Sequence, residues 1–172
     1  MSTPFTEMKI FRLVLDPKTS SPIVILKDQS SGALLPIWIG IFEAHAIAMK
    51  LEGIEPARPM THDLLKSAFD SMQAKVDRIE VVDLVDNTYY AKLQVRLGDV
   101  TYSIDSRPSD AIALAIRAAS PIFVADHVLE QSKIDPASLS LENESDSEEE
   151  GDEDEWTRIL KNYNPPGGEK IN

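Results

Sequence analysis

The 172-residue chain has no cysteine, which removes thiol nucleophiles, thiolate metal sites and disulfides and fits a reducing compartment. No run approaches the roughly 18 apolar residues of a membrane span. The start, Met1-Ser2-Thr3-Pro4-Phe5-Thr6-Glu7, has no basic stretch leading into an apolar one. A cytoplasmic protein with no membrane partner is the expectation. Positive charge is scarce as well, with 17 Lys and Arg against 29 Asp and Glu and a formal net charge of −12. Ten of the acids fall between Glu142 and Glu155 with no Lys or Arg among them, leaving 14 basic and 18 acidic residues in the first 141. That part is only mildly acidic and carries no strong basic footprint for nucleic acid.

What remains is the makeup of an ordinary folded domain, 42% hydrophobic and 27% charged, long enough to bury one core without a metal or disulfide staple. Strands are expected at Met8 to Asp16 and Pro22 to Asp28, separated by the turn formers 16–21, and at Leu34 to Ile39. Pro36 cannot donate to a ladder, which puts the third strand near an edge or at its start. A helix follows from Ile41 to Leu51 with Phe42, Ala46 and Met49 at helical spacing and Gly53 as its stop. Thr61 is a candidate N-cap for a second helix ending near Ala74, with Leu64, Leu65, Ala68, Phe69 and Met72 on one stripe. A second meander is expected over Val76–Val85, Thr88–Leu97 and Val100–Asp105, because Asp86-Asn87 and Gly98-Asp99 are tight hairpin signals. A helix from Ser109 to about Ala119, a strand Ile122–Ala125 and a short helix Asp126–Gln131 complete the order. Two three-strand meanders, each followed by helices, define an α+β domain, possible as a duplicated βββα unit.

The boundaries expected are an N-terminal extension 1–7, a folded domain 8–137, an acidic disordered linker 138–155 and an amphipathic segment 156–172. The linker has too little apolar surface to fold alone. In the last segment Trp156, Ile159, Leu160 and Tyr163 stand at i, i+3, i+4 and i+7 before Pro165-Pro166.

Two segments repeat a theme. Arg58-Pro59-Met60-Thr61-His62-Asp63 and Arg107-Pro108-Ser109-Asp110 each place Arg-Pro before a hydroxyl and an acid that open a helix. Capping by Thr61 or Ser109, a dipole-complementing acid and a stiff proline entry explain most of this without function. The arginines are harder to explain. A cation at a helix N-terminus is unfavourable unless a carboxylate or an anionic ligand stands nearby.

The runs Ile39-Gly40-x2-Glu43-Ala44-x-Ala46-Ile47, Arg58-Pro59-x-Thr61-His62-Asp63-Leu64-Leu65 and Asp105-x-Arg107-Pro108-Ser109-Asp110-Ala111-Ile112 resemble, in order and spacing, the signatures of the bifunctional nuclease domain. The third run continues Ala113-Leu114-Ala115-x-Arg117. The resemblance covers about Met8 to Ala137 and implies DNase and RNase activity, an α+β fold and homo-oligomers.

A phosphodiesterase needs a proton acceptor, a proton donor and positive charge on the phosphoryl oxygens, often from a metal held by carboxylates. His62 and His45 are the candidates for proton transfer, with Asp63, Arg107 and Asp110 beside them as catalytic candidates. Arg58 and Arg107 are the phosphate-binding candidates, and Glu43, Asp63, Asp105 and Asp110 the candidate ligands of a divalent cation, Mg²⁺ or Mn²⁺. Each has a plainer reading: Glu43 and His45 as helix-end residues, Asp110 as a first-turn acid, Asp105 as a partner of Arg107. His127 is read as structural. The alternative to a nuclease acting on nucleic acid is a non-enzymatic regulatory domain that binds a small anion or a partner protein.

Overall fold

The computed structural model describes residues 4–16 and 18–134; the expectations for 138–155 and 156–172 lie outside the described residues. In chain order the elements are β1 (Phe5–Leu15), β2 (Pro22–Asp28), β3 (Leu34–Trp38), α1 (Ile41–Leu51), α2 (Thr61–Ser71), β4 (Ala74–Val85), β5 (Thr88–Leu97), β6 (Val100–Ser106), α3 (Pro108–Ala118), β7 (Ile122–Ala125) and α4 (Asp126–Ser132). The α+β class expected from the order of elements is the one observed. The two meanders are halves of one seven-stranded sheet, ordered β3-β2-β1-β7-β4-β5-β6. β7 joins them at the centre, antiparallel to β1 and parallel to β4. Its partners on β1 run from Phe5 to Met8, so the sheet begins three residues before the expected start. β3 with Pro36 lies at an edge, where a missing N–H costs no ladder bond.

The core lies between the sheet and the helices. Val24 and Leu26 of β2, Ile79 and Val81 of β4 and Leu93 and Val95 of β5 share it with residues of α1 and α3. These positions alternate along each strand, as they must when one face is covered. α3 is buried from Pro108 to Ala115 except at the half-buried Asp110, and Ala111, Ala113 and Ala115 in that stretch let neighbouring elements approach closely. Full burial of Ile112 and Leu114 contributes roughly 1.5–3 kcal/mol each.

Four local expectations are corrected. α2 turns little of its apolar stripe inward: Phe69 is buried, while Leu64, Leu65, Ala68 and Met72 are exposed. The helix lies against α3, and only one edge of it meets the core. Phe42 is 85% exposed, because α1 buries the alternative face carrying Ala44, Ile47 and Ala48. Thr61 is the first helical residue and Met60 holds the N-cap position; the Met60 N–H donates to Asp63 Oδ2 at 3.0 Å. Ser109 is likewise inside its helix, behind Arg107 at the N-cap and Pro108 at N1. Proline's fixed φ suits that first position, so the helix begins at the proline.

Candidate functional site

The first turns of α1, α2 and α3 each carry an acid three residues after the N-cap: Glu43 after Gly40, Asp63 after Met60 and Asp110 after Arg107. An acid there is stabilised by the positive end of the helix dipole. Side chains link these turns. Arg107 Nε donates to Asp110 Oδ2 at 2.7 Å and Arg107 Nη2 to Glu43 Oε1 at 2.6 Å. His62 Nε2 stands 2.9 Å from Asp110 Oδ1. The result is a continuous chain, Glu43–Arg107–Asp110–His62, drawn from three helices.

The cation at the α3 N-terminus therefore has its carboxylates, one from its own helix and one from α1. Arg107 nevertheless leaves 65% of its side chain exposed, whereas the His62 side chain is 10% exposed. Burial acts to raise the pKa of Asp110, but hydrogen bonds from Arg107 and His62 outweigh it and hold the carboxyl below the ordinary range. An ionised carboxylate only accepts. His62 Nε2 must then carry the bonded proton, which leaves Nδ1 as the basic nitrogen of the neutral ring. The pKa of Arg107 is raised by its bonds to Asp110 and Glu43, so the guanidinium stays charged. Gly40 is part of the arrangement: a Cβ there would collide with Glu43 Oε2, so the missing side chain is what lets Glu43 fold back over the helix start.

Asp63 faces elsewhere. Successive helical residues differ by about 100° in direction, and Asp63 accepts from Arg117 Nε at 2.6 Å while its neighbour His62 meets Asp110. Burial raises the pKa of Asp63, and the Arg117 and Met60 hydrogen bonds more than reverse this, leaving it lowered. Arg117 closes the third signature run. Its side chain is 5% exposed, and it also donates to Ala113 O at 2.9 Å and Ala46 O at 3.0 Å. One buried guanidinium thus ties all three helices together. The signal available in sequence was a lone charge in the apolar run 111–119.

Arg58 and Asp105 are both exposed, and neither side chain has a partner among the described residues. Asp105 faces Lys92 in the ladder and does not bond Arg107. His45, half-buried on α1, has its pKa lowered by burial. His127 Nε2 lies 3.5 Å from Asp83. A cleft of about 220 Å³ opens beside Asp63 and Arg117, with Lys50, Ile54 and Pro56 in its wall. Arg107, Asp110 and His62 do not line it.

The candidate metal ligands are not gathered. Among the described residues no three of His, Asp and Glu form a group suited to an ion. Glu43 and Asp110 are both engaged by Arg107, and Asp63 by Arg117, so a cation between them would have to displace a guanidinium. The donor set as it stands does not fit Mg²⁺ or Mn²⁺.

The fold and this cluster define a class, an α+β domain with an arginine–carboxylate–histidine chain across three helix starts. The chain belongs to the Bifunctional nuclease domain family, whose profile matches residues 24–137. It is 35% identical over 142 residues to an uncharacterized protein of Mycobacterium tuberculosis, covering 83% of this chain and 82% of that one. It is 33% identical over 107 residues to Bifunctional nuclease 2 of Arabidopsis thaliana, covering 60% of this chain and 32% of the relative. Bifunctional nuclease 1 of the same plant is 32% identical over 107 residues, covering 60% and 33%. The chain thus spans about a third of each plant protein. Among the described residues no helix is long and apolar enough to cross a membrane.

Proposed function

We propose that the chain is a nuclease of broad specificity that hydrolyses phosphodiester bonds in DNA and RNA. The observation that carries this reading is the hydrogen-bonded chain from Glu43 through Arg107 and Asp110 to His62, in a member of a family with relatives named bifunctional nucleases. Arg107, with most of its side chain exposed, contacts the phosphoryl oxygens. His62 takes the proton of the attacking water at Nδ1 while Asp110 holds Nε2–H and stabilises the imidazolium that forms, the division of labour of an orienting carboxylate and a general base. The new P–O bond forms from that water, the P–O bond to the leaving sugar oxygen breaks, and the imidazolium returns its proton to that oxygen. No step runs through a divalent cation, because the carboxylates are already engaged by arginine. We place the protein in the cytoplasm, which the absence of cysteine fits, and as a homo-oligomer.

One observation favours the second reading, a regulatory domain that binds a small anion or a partner protein. The cluster sets two carboxylates, Glu43 and Asp110, against one guanidinium, which weakens its pull on phosphate. Incubating purified chain with end-labelled DNA and RNA oligonucleotides, with and without EDTA, separates the two. Cleavage resistant to EDTA supports the metal-free route, cleavage lost in EDTA replaces that route with a metal-dependent one, and no cleavage under any condition leaves the binding domain.

A further inference from the structure

The face of the sheet turned away from α1 and α3 carries a compact basic patch around an exposed ring. β1 and β2 are antiparallel, and Lys9 stands directly opposite Lys27. The β1–β2 register slips between Ile10 and Arg12, which puts Phe11 at an irregularity with 42% of its surface exposed. Lys27 Nζ lies 4.8 Å and Arg12 Cζ 5.3 Å from the Phe11 ring centroid. Among the described residues none of Lys9, Arg12 and Lys27 meets a carboxylate in a hydrogen bond or ion pair. Like charges placed directly across a ladder are destabilising. A cross-strand lysine pair kept without a counter-charge therefore points to an anion supplied from outside the described residues.

The chain itself leads there. Ile134 is bridged to Leu34 on the free side of β3, with Ile134 N donating to Leu34 O at 2.9 Å. Leu34 faces Lys27 in register, and Lys27 faces Lys9, so Ile134, Leu34, Lys27 and Lys9 form one row across the sheet. Ile134 also packs on Ile23, Ile25 and Leu34, residues that alternate with the core positions Val24 and Leu26 and so lie on the same outer face as Lys27. With strands about 4.8 Å apart, Lys27 and Lys9 stand roughly 10 and 15 Å from Ile134. The eight residues from Ile134 to Glu142 reach up to roughly 26 Å when extended. The ten acids between Glu142 and Glu155 follow at once.

We propose that the acidic segment Glu142–Glu155 docks on its own domain over Lys9, Phe11, Arg12 and Lys27. Seated there it neutralises the lysine pair and covers the basic–aromatic surface of the fold that is most like a single-strand platform, so a nucleic-acid backbone reaching this face has to displace it. The inference does not depend on the nuclease reading. The absence of native cysteine gives a direct test: a nitroxide on Ser147→Cys in the full chain, read by the loss of backbone amide signals in isotope-labelled protein. The signals of Lys9, Phe11, Arg12 and Lys27 should lose most of their intensity at low salt and recover at about 0.5 M salt, where screening shortens to a few ångströms. They should also recover in a chain with Lys9→Glu, Arg12→Glu and Lys27→Glu, and in a second chain with the ten acids changed to Asn and Gln, which leaves the folded domain untouched. Broadening spread evenly, centred on Arg58, or seen only between differently labelled chains in a mixture would overturn the proposal. So would patch signals that shift with a single-stranded oligonucleotide at the same concentration in the parent and the neutralised-tail chain, since the patch would then be open to nucleic acid and ignored by the tail.

Discussion

His62 and Asp110 lie 48 residues apart in the chain, and His62 Nε2 stands 2.9 Å from Asp110 Oδ1. That contact joins the second residue of α2 to the third residue of α3, and through Arg107 it continues to α1. The same three helices are joined a second time by Arg117. One connection faces solvent and the other is buried, so substitutions in them should separate chemistry from stability.

Arg117→Ala should destabilise the domain by on the order of 2 to 4 kcal/mol, because it removes the buried guanidinium that bonds Asp63, Ala113 O and Ala46 O and leaves the Asp63 carboxylate without its counter-charge. Arg117→Lys should recover little of that, since a single ammonium cannot span Asp63, Ala113 O and Ala46 O with a planar fork. Urea midpoints of the two variants check this; a lysine variant as stable as the parent would show that charge alone suffices.

Stability should fall with pH in two stages. His45 has a folded pKa depressed by burial, so below about 6.5 the unfolded state binds the proton first and stability declines as pH drops. Asp28 is held at about 2 by hydrogen bonds led by the Ser31 hydroxyl and the Ser30 N–H, and Asp63 and Asp110 are also lowered. Their contribution is complete above the unfolded carboxylate value near 3.9 and is lost as pH falls through the folded values. Thermal midpoints across pH should lose the upper stage in His45→Gln and show a shallower lower stage in Asp28→Asn.

β6 predicts self-association. It is an edge strand, and Val100, Tyr102 and Ile104 on its core-side face are exposed, an arrangement that monomers usually blunt with charge. Light scattering at tens of micromolar should give a multiple of 19.1 kDa, reduced to the monomer by Tyr102→Lys. A monomeric mass for the parent would remove the oligomer from the account.

Truncation after Ala137 keeps the Ile134 bridge and should move the thermal midpoint by only a few degrees, because an acidic segment with little apolar surface adds no core. Loss of cooperative unfolding in the shortened chain would show that Trp156 and its neighbours belong to the core.

Much of the fold was legible because its signals are local. The limits of β5 follow from its flanking hairpin residues and alternation, and those of α1 from its spacing and Gly53. The central place of β7 was not, since pairing with both β1 and β4 is long-range and leaves no local mark. At the site, Arg107, Asp110, His62 and Glu43 were legible as residue types in the right motifs. Their division from Asp63 was not: adjacency of His62 and Asp63 in sequence says nothing of the roughly 100° between them on a helix. Arg58 repeats the Arg-Pro theme yet stands exposed on a loop, because its helix begins three residues later, at Thr61, while Arg107 immediately precedes its own.

The central claim is that His62 and Arg107 act on a phosphodiester, and turnover of a labelled oligonucleotide by parent, His62→Ala and Arg107→Ala chains tests it most directly. The account predicts that circular dichroism stays unchanged while cleavage falls about 100-fold or more in both variants, the scale of losing a general base or a transition-state charge partner. A highly purified parent that cleaves nothing, with or without Mg²⁺ or Mn²⁺, or variants that both cut at the parent's rate, would contradict it.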